Sequence, residues 1–134
     1  MATLRNIVFI FAAALSFSAI NYAGNPHRPD LSLKEGEASL ADLKRIKEPL
    51  MIVDARPAAE YAKGHIKGAF NLPEAQFDAR LRAFLDEWTP EASILVYCNV
   101  GQCNSSRIIA DRLKKECGMH NVFVLKDDWK KWKE

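Results

Sequence analysis

Three short apolar segments limit the folds that this chain can adopt. They read LMIVD at residues 50–54, SILVY at 93–97 and NVFVL at 121–125, and amphipathic stretches separate them. A strand without polar alternation needs cover on both of its faces, as in parallel sheets. The alternation of such strands with helices therefore predicts an α/β fold with a central, mostly parallel β-sheet flanked by helices on both faces.

Helix signals fall between these strands. Ser39 and Asp42 fit a capping box at the start of a short helix that Pro49 would close. Two further helices are predicted, one with Pro57 in its first turn and Gly64 at its end, and one from about Ser105 that Gly118 ends. A helix is also predicted after Pro73 and another in the C-terminal DDWKKWKE, and a weaker strand is expected at residues 69–72.

The first 23 residues differ in character from the rest of the chain. A basic Arg5 precedes a mostly apolar run at residues 7–20. This pattern is typical of a secretory signal peptide, and the run is short for the alternative, a membrane anchor. Residues 24–36 are interpreted as a tether and residues 37–134 as one domain. We therefore expect an exported, periplasmic protein that contacts a membrane only if the signal stays uncleaved.

Charge and cysteine content exclude two functional classes. The formal net charge is +2 at pH 7, and cleavage would remove the single arginine of the signal segment. That balance does not favour a nucleic-acid partner. Three cysteines are an odd number, so the chain is not a disulfide scaffold. Cys117 shares a helix face with Ile109 and Leu113 and is expected to be a small core residue.

Cys98 is the strongest candidate for chemistry. It follows an apolar strand, and sites in parallel sheets form beyond the carboxyl ends of strands, where Asp54 is also expected. An ordinary thiol is only about 3% ionised at neutral pH, so a reactive one needs stabilisation of its anion. Glycine lets the following loop turn its amides inward, and the next helix presents its positive end. The residues predicted to hold an anion, mainly by backbone amides, are Asn99, Val100, Gly101, Gln102, Cys103, Asn104 and Ser105.

Two stretches resemble the single-domain rhodaneses, which are sulfurtransferases. The first is IVDARPAAEYAKGHIKGAFNLP at residues 52–73, and the second is VYC at 96–98 with its short loop and helix. The resemblance extends over about residues 39–132. The matches to the upstream signature lie at Asp54, Arg56, Glu60, Tyr61, Gly64, His65, Ile66, Gly68, Ala69, Asn71 and Pro73.

The resemblance implies a persulfide on Cys98. Its sulfane sulfur would come from thiosulfate, a polysulfide or a low-molecular-weight persulfide, and would pass to cyanide, a thiol or a protein acceptor. The resemblance implies no metal and no organic cofactor. Asp54 and Arg56 would support the loop as an ion pair, and Arg107 is a further supporting residue, displaced into the following helix.

The chain departs from the family pattern in the loop and near its C-terminus. The loop is one residue longer than usual and lacks the common arginine, so thiosulfate preference is not implied. Asn104 stands where the phosphatases and arsenate reductases of this family need arginine, which argues against phosphoryl chemistry. Asp127 and Asp128 replace a glycine pair before the tryptophan helix, and Asp127 is a candidate N-cap.

Cys103 leaves alternatives open. It is either a loop residue without chemistry or a resolving thiol that attacks persulfidated or oxidised Cys98. A thiol-disulfide redox protein that uses both cysteines, and a sulfur carrier without turnover, are therefore alternatives to a sulfurtransferase. His65 is expected to bond to the backbone near a turn rather than to act as a general base.

Overall fold

The computed structural model of the chain describes residues 36–101 and 104–133. The chain divides into two units, residues 1–30 and 31–134, and all the described residues belong to the second. The predicted signal segment, nearly all of the tether, and Gln102 and Cys103 lie outside the described residues.

A parallel sheet forms the centre of the domain. Its strand order is β1-β5-β4-β2-β3, and every pair of neighbours is parallel. The α/β fold with a parallel sheet is therefore confirmed. The strands are β1 (Glu37–Ala38), β2 (Leu50–Asp54), β3 (Phe70–Asn71), β4 (Ser93–Tyr97) and β5 (Val122–Leu125). The helices are α1 (Leu40–Leu43), α2 (Ala58–Lys63), α3 (Phe77–Glu87) and α4 (Ser105–Cys117), with 3₁₀ turns at Glu74–Gln76 and Trp129–Lys131.

The central strand β4 separates two apolar clusters. Its residues are all buried, and their side chains alternate between the two faces of the sheet. Ile94 and Val96 join the cluster formed by residues of α3 and α4. Leu95 and Tyr97 join the cluster that α1 and the C-terminal turn cover. The next residue in this alternation, Cys98, therefore falls on the α4 side.

The edge strand β1 was not predicted from the sequence. It has two residues, and it exists because it pairs with β5, with Glu37 opposite Val124 and Ala38 opposite Leu125. The amide of Lys126 also donates to the Ala38 carbonyl over 2.9 Å. So short a strand has no periodicity, and only its long-range pairing identifies it.

The predicted start of α1 is correct, but its end is not. Ser39 is the N-cap, and both hydrogen bonds of the capping box are present. The helix ends at Leu43, well before Pro49. A further bond to the start of α1 comes from Asp127, whose carboxylate accepts from the Leu40 amide over 2.7 Å. Asp127 therefore serves the first helix and not the C-terminal element for which it was a candidate.

The predicted C-terminal helix is wrong. The segment forms one 3₁₀ turn, and Asp128 caps it by accepting from the Lys130 amide over 3.0 Å. A 3₁₀ helix has about three residues per turn, so side chains three positions apart lie on one side. Trp129 and Trp132 both pack against the cluster beneath them. The two tryptophans, rather than helix propensity, explain this geometry.

Candidate functional site

Cys98 lies where the chain leaves the sheet at the end of β4. The connection after β2 leads to β3 on one side, whereas the connection after β4 leads to β5 on the other. Ligands of parallel sheets bind in the crevice at such a reversal. Asp54 ends β2 and is paired in register with Tyr97, the residue before Cys98. Asp54 and Cys98, both predicted as site residues, therefore lie at the carboxyl ends of two neighbouring strands.

The sulfur of Cys98 lies against the first turn of α4. Its side chain is nearly buried, and the thiol donates to the Ser106 hydroxyl over 3.2 Å. A second, longer contact of 3.8 Å joins Sγ to the carbonyl of Asn99. The positive end of a helix favours an anion within its first turn. The arrangement is therefore suited to a thiolate or a persulfide anion.

The structure describes two parts of the loop after Cys98, residues 99–101 and residues 104–105. Gly101 has a φ of +88°, in the left-handed region that other residues rarely adopt, while a Cβ there would meet no atom within 4 Å. The backbone conformation therefore favours glycine at position 101, whereas the space around it would admit a larger side chain. Asn104 occupies the N-cap position of α4 without a side-chain capping bond. Ser105 lines a different cleft, beside Pro73 and Arg112.

A cleft of about 190 Å³ opens beside Cys98. The predicted residues that line it are Cys98, Asn99, Val100, Gly101 and Arg107. Sequence reasoning did not assign Ser106, Glu37 and Lys126 to the site, although all of them line the cleft. Helical periodicity could have identified Ser106, because it shares a buried face with Ile109 and Leu113. No local signal could have identified Glu37, which β-pairing brings there.

Three charges meet at this cleft. Arg107 pairs with one carboxylate oxygen of Glu37 at 2.5 Å, and the Lys126 ammonium lies 3.5 Å from the other. Burial opposes ionisation of Glu37, but the contacts with Lys126 and Arg107 outweigh it and lower its pKa. Glu37 is therefore charged at neutral pH, and the cluster carries one net positive charge.

The predicted ion pair of Asp54 and Arg56 lies buried beneath the loop. The shortest contact joins Arg56 Nη2 to Asp54 Oδ2 at 2.6 Å, and Nε lies 3.0 Å from Oδ1. Nη2 also donates to the Gly64 carbonyl over 2.7 Å. Hydrogen bonding to Asp54 raises the pKa of Arg56 despite its burial. Asn71 donates to the carbonyls of both residues and holds the turn between them.

Tyr97 and Trp129 connect this ion pair to the loop. The Tyr97 hydroxyl donates to Asp54 over 2.8 Å and accepts from the Ile66 amide over 3.0 Å. The guanidinium carbon of Arg56 lies 4.4 Å from the centre of the Trp129 ring. The indole nitrogen of Trp129 in turn donates to the Asn99 side chain over 3.4 Å. The buried ion pair of Asp54 and Arg56 is therefore connected through Trp129 to Asn99, the residue next to Cys98.

Replacing Tyr97 with phenylalanine is expected to make the domain less sensitive to alkali. Burial raises the pKa of Tyr97, and its bond to Asp54 adds to the rise. Above about pH 10 the unfolded state loses this proton and the folded state keeps it. Stability then falls by up to about 1.4 kcal/mol per pH unit for this group. Urea unfolding between neutral and alkaline pH measures the slope; equal alkaline slopes for the two proteins would contradict the expectation.

Two other residues have the structural settings expected of them. His65 Nδ1 lies 2.8 Å from the Tyr61 carbonyl, and its ring stacks on that of Tyr61 at 3.6 Å. Cys117 is half-buried and packs against the cluster formed by residues of α3 and α4, which we call the α4 cluster. Burial raises the pKa of its thiol. Neither residue lines the cleft beside Cys98.

No group of histidine, cysteine and acidic side chains within residues 36–101 and 104–133 is arranged to hold a metal ion. No helix in the same ranges is long and apolar enough to cross a membrane.

Comparison with known proteins agrees with the fold. The model of the rhodanese-like domain matches residues 37–134. A curated relative, the HTH-type transcriptional regulator Rv0324 of Mycobacterium tuberculosis, is 29% identical over 127 residues. That alignment covers 87% of this chain and 54% of the relative, so the chain spans about half of the relative's length. The chain belongs to the rhodanese-like domain family, a family of sulfurtransferase type.

Proposed function

We propose that this domain is a sulfurtransferase that carries sulfane sulfur as a persulfide on Cys98. The observation that carries the proposal is the position of the sulfur, which lies in a cleft against the first turn of α4. A nucleophile that forms a covalent intermediate needs a group that stabilises its anion. The helix end provides such stabilisation here, and the Ser106 hydroxyl, which accepts from the thiol, can rotate to donate to the thiolate.

The proposed reaction has two displacements. The Cys98 thiolate attacks the outer sulfur of thiosulfate, the S–S bond breaks, and sulfite leaves with the bonding electrons. With a polysulfide or a small persulfide, a shorter polysulfide or a thiolate leaves instead. Cyanide or an acceptor thiolate then attacks the outer sulfur of the persulfide, and Cys98 leaves as a thiolate. Electrons balance within each displacement, so the cycle uses no metal, no organic cofactor and no external oxidant.

The proposal includes export to the periplasm, on the basis of the signal-like residues 1–23. A cytosolic pool of thiols would keep Cys98 and Cys103 reduced, whereas an oxidising compartment favours pairing. The N-terminal mass of the protein recovered from a periplasmic fraction tests this part. A mature chain that begins near residue 24 is expected, and an intact Met1 in the membrane fraction would contradict cleavage.

Sulfur loading tests the central proposal. The purified protein is incubated separately with thiosulfate, polysulfide and glutathione persulfide, and its peptides are weighed by mass spectrometry. One added sulfur is expected on the Cys98 peptide and little on the Cys117 peptide, because Cys117 is half-buried outside the cleft. Cyanide should then remove the sulfur as thiocyanate. Failure of every donor to load Cys98 would refute the proposal, and loading without discharge would favour a carrier.

Replacing Ser106 with alanine is expected to slow sulfur loading by about 5- to 10-fold. The substitution removes one hydrogen-bonding group from the sulfur, which is worth about 1 kcal/mol. The rate of loading is measured by mass spectrometry under single-turnover conditions. Ser105→Ala is the matched control, because Ser105 is the adjacent residue and lines a different cleft. Equal rates for the two variants would exclude a role for the Ser106 hydroxyl.

A further inference from the structure

The charged cluster at the mouth of the Cys98 cleft comes from three separate elements. Glu37 belongs to β1, Arg107 to α4, and Lys126 directly follows β5. Each oxygen of the Glu37 carboxylate faces one cation. Because Glu37, Arg107, Lys126 and Cys98 line the same cleft, a molecule that reaches the sulfur meets all three charges.

The Glu37 carboxylate can accept another donor. A carboxylate offers about four lone-pair positions, and the Arg107 contact uses one of them. The Lys126 contact, at 3.5 Å, is longer than a normal N–H···O hydrogen bond. The Glu37 side chain is 10% exposed, whereas those of Arg107 and Lys126 are 64% and 47% exposed. Glu37 is therefore a fixed anion beside two accessible cations. This arrangement of charges is complementary to a ligand that carries an ammonium group beside a carboxylate.

We propose that Glu37 is a specificity-determining residue that selects the sulfur acceptor by its charge. The preferred acceptors are small thiols that carry an α-ammonium and a carboxylate, the ammonium at Glu37 and the carboxylate at Arg107 and Lys126. Glu37 also disfavours purely anionic acceptors, because its charge halves the positive charge that the two cations would otherwise present. The inference rests on the proposed persulfide of Cys98 and concerns only the second displacement.

The size of the cleft agrees with this class of acceptor. Its volume of about 190 Å³ is below the roughly 300–1,000 Å³ of sites for drug-sized ligands. An amino-acid thiol therefore matches the space next to the sulfur. In the step itself, the acceptor thiolate attacks the outer sulfur of the persulfide and the S–S bond breaks. The Cys98 thiolate leaves, and the acceptor becomes a persulfide.

Single-turnover discharge of preloaded protein tests the inference. The acceptors are cysteine, cysteamine, 3-mercaptopropionate and neutral 2-mercaptoethanol, and each variant's rate is divided by the wild-type rate for the same thiol. Glu37→Gln should slow discharge to cysteamine about 5-fold, speed discharge to 3-mercaptopropionate about 5-fold and leave 2-mercaptoethanol unchanged. Arg107→Gln should have the opposite effect to Glu37→Gln on 3-mercaptopropionate and should slow discharge to it about 5-fold.

Glu116→Gln is the matched control, because it changes the net charge equally at an exposed pair with Arg112 outside the cleft. High salt should shrink the effects of Glu37→Gln and leave this control unchanged. The inference is overturned if Glu37→Gln changes all the acceptors by one factor, or if it shifts 3-mercaptopropionate in the same direction as Arg107→Gln. Should Glu37→Gln not fold, Arg107→Gln decides, because it leaves the Glu37 carboxylate with one cation fewer. It should then speed discharge to cysteamine while it slows discharge to 3-mercaptopropionate, and an unchanged or slower rate with cysteamine would overturn the inference. Absence of loading, visible before any acceptor is added, would overturn the proposed function and this inference with it.

Discussion

Replacing Cys98 with serine is expected to lower kcat/KM for sulfur transfer by at least about 1,000-fold. The hydroxyl that replaces the thiol cannot form a persulfide, so both displacements are lost. Serine is close to cysteine in shape, and the side chain, which belongs to the buried cluster of α3 and α4, also lines the cleft and contacts the Ser106 hydroxyl. The free energy of unfolding should therefore change by less than about 1 kcal/mol. Thiocyanate formation and urea unfolding measure the two effects separately.

The other cysteines provide the controls for this substitution. Cys117→Ser should keep most of the transfer activity, because Cys117 packs in the α4 cluster away from the cleft. Cys103→Ser should leave Cys98 loadable if the domain is a sulfurtransferase. Loss of a disulfide-reducing activity in both Cys98→Ser and Cys103→Ser, with sulfur transfer intact, would instead establish the redox alternative. Activity of Cys98→Ser above about a tenth of wild type would contradict the proposed nucleophile.

The central part of the fold could be predicted because its signals are local. The segments of β2, β4 and β5 are apolar and end at polar or glycine-containing stretches, which periodicity reveals. Helix α4 begins at Ser105 and ends before Gly118, as its capping residues predict. The edge of the sheet could not be predicted, since β1 has two residues and depends on pairing with β5. The C-terminal turn depends likewise on where Trp129 and Trp132 pack.

The candidate site likewise has one part that the sequence predicts and one part that depends on the folded sheet. Cys98 was identified because position at the end of a buried strand is a sequence property. The other charged residues of its cleft cannot be identified in this way. Glu37 lies 61 positions earlier in the chain, on β1, and Lys126 lies 28 positions later, directly after β5, and these two strands meet only in the folded sheet. Arg107 was predicted as a supporting residue without its partner. The charge of the cleft, which decides what can approach the sulfur, is therefore a tertiary property.

Replacing Asp54 with asparagine is expected to lower the free energy of unfolding by about 3–5 kcal/mol. The substitution leaves Arg56, which is 3% exposed, as a buried charge without its counterion. It also sets an amide donor against existing donors, because both carboxylate oxygens accept bonds, Oδ1 from Arg56 and Oδ2 from Arg56 and Tyr97. A loss of 3 kcal/mol corresponds to a fall in Tm of about 12 °C or more in a domain of this size. Thermal and urea unfolding measure it.

Glu60→Gln is the matched control, because it breaks an exposed ion pair with Lys63 and should cost no more than about 1 kcal/mol. A double variant, Asp54→Leu with Arg56→Met, should lose less stability than Asp54→Leu alone, because it removes the buried charge together with its partner. Similar losses for Asp54→Asn and Glu60→Gln would contradict a buried ion pair. The loop should respond as well, since Arg56 packs under Trp129 and Trp129 holds Asn99. At temperatures where the Asp54→Asn variant is still folded, sulfur loading should therefore be slower than in the wild type, which would connect the buried charge to the chemistry at Cys98.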